Sequence, residues 1–247
     1  EIPQIEINNL PIIQGETMLL IITTPKPIDI SASFNGRNLN CFTEDNESYF
    51  CFHGINALAE PGIYPLKIDA KSGGRNLINF EQLVFLAPGY FGLQDVPITN
   101  LETLDPEKSA EEDARIQPII NLATPNRYWD GPFQYPVDEP CSNDDFGARR
   151  NYSDGKLFSY HTGVDFPVCA QNLNIYAVAP GEVVFTDHLL TRGNTIFINH
   201  GWGVMSNYAH LAEILVEVGD FVETGDLIGI IGNTGRSTGP HLHLEVI

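Results

Sequence analysis

The chain has 247 residues and carries 32 acidic against 13 basic side chains, a formal net charge of −19. This charge repels phosphate backbones and anionic membrane surfaces, so the composition argues against nucleic acid as a partner. Hydrophobic residues make up 43% of the chain, and its longest aliphatic run, residues 18–22, is far shorter than the ~20 residues of a membrane span. We therefore expect a globular protein of one large or two ordinary domains.

Short runs in which apolar and polar residues alternate occupy residues 5–86. Turn residues separate these runs, and the spacing is typical of an antiparallel β-sandwich. Pro61-Gly62-Ile63-Tyr64, at the start of one run, also resembles the tyrosine corner of immunoglobulin-like domains. We therefore predict an immunoglobulin-like β-sandwich over residues 1–87.

Four cysteines are divided between the two ends of the chain. Cys41 and Cys51 flank a polar turn at residues 44–48, so a disulfide across a hairpin is natural there. Cys141 and Cys169 would then form the second pair. Four reduced thiols in a cytosolic protein are the alternative, but disulfides belong to oxidising compartments, and we expect a bridged, exported protein.

The composition of residues 88–130 is acidic and favours helix. Asp105 followed by Pro106 is a typical helix start, and residues 107–123 continue the helical pattern with a kink expected at Pro118. We interpret this segment as a helical connector.

Glycine-punctuated β runs return from residue 131 onward. They include residues 174–179, 181–185, 195–199, 227–231 and 242–247. We predict a second β domain over residues 131–247 and an all-β fold class for the chain, with the connector between the two domains.

Six of the seven histidines lie in this second domain. His241 and His243 are two residues apart, so on a strand their side chains point to the same face, about 7 Å from each other. Leu242 between them would point into the core. Tyr208 and His210 have the same spacing, and we expect them to face one side together.

His161 and Asp165 are four residues apart, which on a straight strand would separate them by about 13 Å, too far to share one metal ion. A bend at Gly163 would bring the two side chains together. A His, an Asp and a second His would then give three protein ligands and one open position, the pattern of a catalytic zinc site. Scattered surface histidines are the alternative.

Three motifs carry a family resemblance. They are H-x-x-x-D at residues 161–165, Y-A-H-L at residues 208–211 and G-N-T-G-R-S-T-G-P-H-L-H-L-E at residues 232–245. With F-G-A-R-R at residues 146–150 upstream, they make the chain from residue 132 to the C-terminus resemble the lysostaphin-type (LytM-type) zinc metalloendopeptidases. The first domain has no comparably strong resemblance.

The resemblance implies a lysostaphin-like β-sheet peptidase domain with Zn²⁺ as its cofactor. By this similarity His161, Asp165 and His243 are the zinc ligands, while His210 and His241 handle protons without binding the metal. We assign His241 as the general base and His210 to stabilisation of the tetrahedral intermediate or protonation of the leaving amine. The sequence is equally compatible with the reverse assignment of these two roles to His241 and His210.

The substrate that the resemblance implies is peptidoglycan, at its peptide stems or cross-bridges. We therefore expect an extracytoplasmic protein, in which Glu1 begins a mature chain because no signal peptide is recognisable. The acidic composition argues against a basic cell-wall anchor, so targeting would depend on the first domain or on a membrane tether outside this chain. The sequence leaves the oligomeric state unknown.

Two other hypotheses remain. The chain could be an autoinhibited or non-catalytic cell-wall-binding or activator module whose zinc site is intact but closed. It could also be a structural metal domain with a fourth protein ligand. His210 and His241 favour the enzyme, because a purely structural metal site needs neither.

Overall fold

The computed structural model describes residues 3–142 and 146–247. It is built mostly from β-strands, so the predicted all-β class is confirmed. Contacts between residues divide the chain into two compact units, Glu1–Tyr90 and Phe91–Ile247. Of the residues predicted as a connector, 88–90 belong to the first unit and 91–130 to the second. The division into two domains and a connector stays a prediction. Throughout the described residues, each helix is too short or too polar to cross a bilayer.

The first unit contains nine strands. They are β1 (Gln4–Asn8), β2 (Ile12–Ile13), β3 (Thr17–Thr23), β4 (Asp29–Phe34), β5 (Arg37–Leu39), β6 (Cys41–Phe42), β7 (Ser48–Gly54), β8 (Gly62–Ser72) and β9 (Arg75–Ala87). One sheet has the order β1-β3-β7-β6 and the other β2-β9-β8-β4-β5. Alternate residues of β3, such as Leu20, are fully buried in one core with alternate residues of β8, such as Leu66. The two sheets therefore share a core.

The Tyr64 hydroxyl donates a hydrogen bond to the carbonyl of Glu60 at 2.7 Å. This contact is the one that a tyrosine corner makes with the backbone a few residues upstream. The immunoglobulin-like assignment of the unit stays a prediction.

Both predicted disulfides are present. Cys41–Cys51 joins β6 to β7 at directly paired positions, and Cys141–Cys169 lies in the second unit.

The second unit contains twelve strands and two helices among its described residues. They are β10 (Leu93–Val96), a 3₁₀ turn (Leu101–Leu104), α1 (Pro106–Ile120), β11 (Arg149–Tyr152), β12 (Leu157–Tyr160), β13 (Val164–Pro167), β14 (Asn174–Tyr176), β15 (Gly181–Leu189), β16 (Gly193–Gly201), β17 (Val204–Leu211), β18 (Glu213–Ile214), β19 (Phe221–Val222), β20 (Leu227–Ile230) and β21 (His241–Val246). Its main sheet has the order β13-β21-β17-β16-β15-β19. Two three-stranded sheets, β10-β11-β12 and β14-β20-β18, accompany it.

Side chains alternate across the main sheet and define its two faces. A larger and a smaller hydrophobic core lie on these two faces. Ile196 and Ile198 of β16 belong to the larger core, which also contains Leu242 of β21 and Ile228 of β20. Phe197, between the two isoleucines, packs instead with Ile116 of α1. Strand β16 is therefore buried on both faces, and α1 packs on the face opposite the larger core.

Helix α1 begins at Pro106, as predicted, because the Asp105 side chain caps the backbone N–H groups of Glu107 and Lys108. It ends at Ile120, three residues earlier than the helical pattern suggested. Its Glu112 is buried and accepts hydrogen bonds from the Thr191 backbone N–H at 2.7 Å and from Arg192 Nη1 at 2.7 Å. This carboxylate fastens α1 to the turn between β15 and β16.

Replacing Glu112 with Ala should destabilise the second unit by about 1–3 kcal/mol, because buried donors on Thr191 and Arg192 lose their acceptor. Both tryptophans of the chain, Trp129 and Trp202, lie in this unit, so urea unfolding followed by tryptophan fluorescence reports on it. The matched control is Glu111→Ala, at an exposed neighbouring position, with an expected change within about 0.5 kcal/mol. Equal midpoints for the two variants would contradict the role of Glu112.

Candidate metal centre

The pairing of β13 with β21 creates the first contact of the site. The two strands are antiparallel, and Asp165 lies directly opposite His243. Residues opposite each other in such a pair project to the same face. Leu242 and Leu244 pack into the larger core, so Asp165 and His243 lie on the other face of the sheet.

His161 reaches this pair through the short turn between β12 and β13. Gly163 sits in that turn, where a Cβ atom would overlap the carbonyl oxygen of Leu244. Only glycine allows the backbone to pass this close to β21. The chain bends as the sequence suggested, and His161 Nε2 lies 3.0 Å from Asp165 Oδ1.

Three electron-pair donors converge at this point. His161 Nε2 and His243 Nδ1 are 3.0 Å apart, and His243 Nδ1 is 2.9 Å from Asp165 Oδ1. All three residues are buried, and this triad is the group of potential metal ligands found in the part of the chain described. No side chain of residues 91–130 belongs to it.

The donor set fits a metal ion. His243 Nε2 lies 3.1 Å from Glu245 Oε1, and since a carboxylate accepts, this nitrogen carries the proton and Nδ1 presents its lone pair to the triad. Two imidazole nitrogens and one carboxylate oxygen are ligands that zinc takes in catalytic sites. Lone pairs held at about 3 Å need a proton or a metal ion between them.

Further side chains orient these ligands from outside. Arg150 Nη2 donates to Asp165 Oδ2 at 2.9 Å, so both oxygens of this carboxylate have defined partners. The Thr162 hydroxyl donates to Glu245, which in turn holds His243. Such outer partners fix the tautomer and orientation of metal-binding groups.

The charges in this cluster reinforce one another. Burial raises the pKa of Asp165, but hydrogen bonds from His161 and His243 outweigh it and leave the pKa far below its usual range. Burial likewise opposes protonation of His243, but hydrogen bonds to Asp165 and Glu245 raise its pKa to about 9. Burial raises the pKa of Glu245, but the hydrogen bond from His243 outweighs this effect and lowers the pKa to about 2. The negative field that holds a proton on His243 also favours a divalent cation, so the two compete.

His210 and His241 lie beside the triad. Their ring centroids are 4.8 Å apart, and that of His210 is 5.9 Å from the ring of His243. His241 Nε2 lies 3.5 Å from Asp165 Oδ1. The structure therefore gathers all five residues that the sequence singled out into one cluster.

Both of these histidines present an unprotonated nitrogen to the site. His210 Nδ1 donates to the carbonyl of Thr234 and His241 Nδ1 to that of Gly239, each at 2.8 Å. A carbonyl only accepts, so Nδ1 carries the proton and Nε2 has the free lone pair. Burial, with repulsion from His241 and His243, lowers the pKa of His210 to about 3, and burial also lowers the pKa of His241.

The expectation that Tyr208 and His210 face one side is wrong. Tyr208 pairs with Leu244 and is fully buried in the larger core, where its hydroxyl accepts a hydrogen bond from Val178 N at 2.9 Å. His210 has a left-handed backbone, with φ +66°, at a bulge between β16 and β17. The bulge interrupts the strand alternation and turns His210 toward the triad.

His200 and His188 lie outside the site, as expected. His200 is buried between the Pro180 carbonyl and the Ser206 hydroxyl. His188 lies on the surface beside Asn194.

Arg150 and Glu245 lie in motifs of the sequence, at residues 146–150 and 232–245, that assigned neither of them a role. Glu245 is two residues after His243 on one strand, so the period of two could have placed it on the ligand face. Arg150 comes from β11, which is not a neighbour of β13 in the main sheet. No local pattern links it to Asp165.

A cavity of about 150 Å³ opens beside the triad. Its lining includes His161, His210 and His243, and also Ser109 and Asp113 of α1. A buried His-Asp-His triad beside a cavity offers three metal ligands and room for a further ligand.

Comparison with known proteins specifies the class. Residues 159–247 match the model of Peptidase family M23, and they form an M23 domain of the lysostaphin (LytM) type, as the motifs indicated. A crystal structure of a candidate M23 peptidase from Pseudomonas aeruginosa superposes with a TM-score of 0.67 and 25% identity, covering 96% of this chain and 89% of that one.

Two curated relatives are similar over this region. Peptidoglycan DD-endopeptidase ShyA of Vibrio cholerae is 41% identical over 115 residues, which is 46% of this chain and 26% of the relative. DD-carboxypeptidase/endopeptidase Mpg of Neisseria meningitidis is 42% identical over 85 residues, 34% of this chain and 19% of the relative. The chain thus spans about a quarter or less of the length of these relatives.

Replacing Glu245 with Gln should lower the affinity of the protein for Zn²⁺ by about 10–100-fold, because His243 loses the carboxylate that fixes its tautomer. Competition with a chromophoric chelator measures this affinity. Glu217→Gln, which removes the same charge at an exposed site of the same unit, is the control and should bind as the wild type does. Equal affinities in the two variants would show that Glu245 does not support the ligand.

Proposed function

We propose that this protein is a zinc-dependent endopeptidase that hydrolyses peptide stems or cross-bridges of bacterial peptidoglycan. The observation that carries the proposal is the buried triad of His161, Asp165 and His243 with two unprotonated imidazole nitrogens beside it. The names of the relatives, DD-endopeptidase and DD-carboxypeptidase/endopeptidase, support the class of substrate.

In this proposal His161 Nε2, Asp165 Oδ1 and His243 Nδ1 hold the zinc. Three protein ligands leave a coordination position for water or substrate. The bound ion would lower the pKa of water to about 7 and polarise the scissile carbonyl. Arg150 and Glu245 keep Asp165 and His243 in their binding orientations.

His241 is the general base. Its Nδ1–H is held by the Gly239 carbonyl, so Nε2 is aimed into the site and accepts the proton of the attacking water. His241 Nε2 lies 3.5 Å from Asp165 Oδ1, so the base is next to a ligand of the metal.

His210 is the second proton carrier. Its low pKa keeps it neutral in the resting site, and with Nδ1–H held by the Thr234 carbonyl, Nε2 carries the free lone pair. Once protonated, the same nitrogen donates to the carbonyl oxygen as negative charge develops there, or to the leaving amine.

We place the activity outside the cytoplasm. Peptidoglycan lies there, and two disulfides suit an oxidising compartment. The acidic chain would be repelled by anionic wall polymers, which supports targeting through the first unit or through a tether outside this chain.

The test is release of peptides from purified peptidoglycan by the full chain, with and without a chelator, followed by addition of zinc. We expect cleavage that the chelator abolishes and zinc restores. His243→Ala should lose both bound zinc and cleavage, whereas His241→Ala should keep zinc and cleave about 10²–10⁴-fold more slowly.

His188→Ala, at the exposed histidine, is the control and should cleave as the wild type does. Cleavage that persists in the chelator would rule out the zinc mechanism. Bound zinc without any cleavage by the wild-type chain would favour the closed or activator module.

A further inference from the structure

The cavity beside the triad is lined by three arginines, Arg150, Arg192 and Arg236. The chain has only 13 basic residues against 32 acidic ones. The lining also contains two carboxylates, Asp113 and Glu245, so the arginines outnumber the acidic residues there, in contrast to the chain as a whole. Each of the three cations is either balanced by an anion of the protein or left to attract one.

Two of these arginines are neutralised by the protein. Arg150 Nη2 lies 2.9 Å from Asp165 Oδ2. Arg192 Nη1 lies 2.7 Å from Glu112 and 3.3 Å from Asp113.

Arg236 differs from both. Its Nη1 donates to the carbonyl of Thr103 at 3.2 Å, and its guanidinium lies 4.9 Å from the centre of the Tyr152 ring. Over the described stretches of the chain, no carboxylate pairs with it. The contacts hold the guanidinium in position, and its charge has no counter-ion among residues 3–142 and 146–247.

Two further groups of the lining lack partners. Ser109 Oγ and Arg192 Nε are buried, and neither has a hydrogen-bond partner within the described structure. Both are donors. Buried donors without acceptors are rare in folded proteins, and here they accompany an arginine without an anion. An acceptor with negative charge would satisfy this lining.

Arg236 is also coupled to the reacting groups. Its backbone N–H donates to Thr191 O at 2.8 Å, and its loop carries Thr234, whose carbonyl holds His210. His241 follows at the end of the same loop. A group bound by Arg236 is therefore fixed relative to both proton carriers.

We propose that Arg236 binds a carboxylate of the substrate peptide close to the scissile bond, so that the enzyme selects peptides with a free acid there. A guanidinium forms two parallel hydrogen bonds with a carboxylate, which gives direction as well as affinity. The inference rests on the proposed function and adds to it a preference for substrate peptides that carry a free carboxylate. The carboxylate is either the C-terminus of the peptide or the side-chain acid of a diamino acid in the cross-link.

The test uses one cross-linked peptide in three forms: the free acid, the C-terminal amide and the amide of the diamino acid. Wild-type enzyme should cleave one amide with kcat/KM about 10–100-fold below that of the free acid, mainly through KM. The amide that is cleaved poorly identifies the carboxylate that is bound.

Arg236→Gln should bring this ratio close to one, and Arg236→Lys, which keeps the charge without the planar fork, should give an intermediate ratio. Each ratio is measured within one variant, so a loss of folded protein cancels. Lys156→Gln removes the same charge at an exposed position of the same unit and should keep the wild-type ratio.

Equilibrium binding of the three peptides to zinc-loaded His241→Ala, with and without Arg236→Gln, separates this inference from the proposed function. Preference for the free acid in binding, lost with Arg236→Gln, upholds the carboxylate site even if the wild-type chain cleaves nothing. Equal binding or equal cleavage of the free acid and both amides by a protein with Arg236 would overturn it, as would a preference that survives Arg236→Gln.

Discussion

The antiparallel register of β13 and β21 is the constraint on which the site depends. It sets Asp165 opposite His243, and the period of two along β21 puts His241, His243 and Glu245 on one face while Leu242 and Leu244 enter the core. A shift by one residue would exchange these faces and bury the imidazoles among aliphatic side chains. The hydrophobic pattern of β21 therefore fixes the metal-binding geometry as well as the packing.

A second constraint acts on His210, whose left-handed backbone needs support. Its N–H bonds to Arg192 O and its ring to Thr234 O. The turn that supplies Arg192 is held by Glu112 of α1. Helix α1 precedes residues 159–247, the segment that matches the family. The support of a site residue thus extends beyond that segment, because a bulged strand needs contacts from outside its own sheet.

Charge is distributed in pairs around the site. Asp165 accepts from Arg150 and lies against two imidazoles, while Glu245 serves His243 and Glu112 serves Arg192. In a buried region an uncompensated charge is unfavourable, so each carboxylate is matched to a cation or a donor. Arg236 departs from this arrangement, which makes it the feature of the cavity that points toward a ligand.

The sequence by itself determined the β class, both disulfides, the start of α1 and the five residues of the cluster, because alternation, turn residues and short motifs are local properties. Even the bend at Gly163 could be inferred from spacing. Only the tertiary structure decided that Tyr208 is a core residue and that His210 reaches the triad through a bulge. It also decided that Arg150 holds Asp165 and that Glu112 holds the turn behind His210. These features depend on contacts between strands and a helix that are distant in the chain, and no local pattern encodes such contacts.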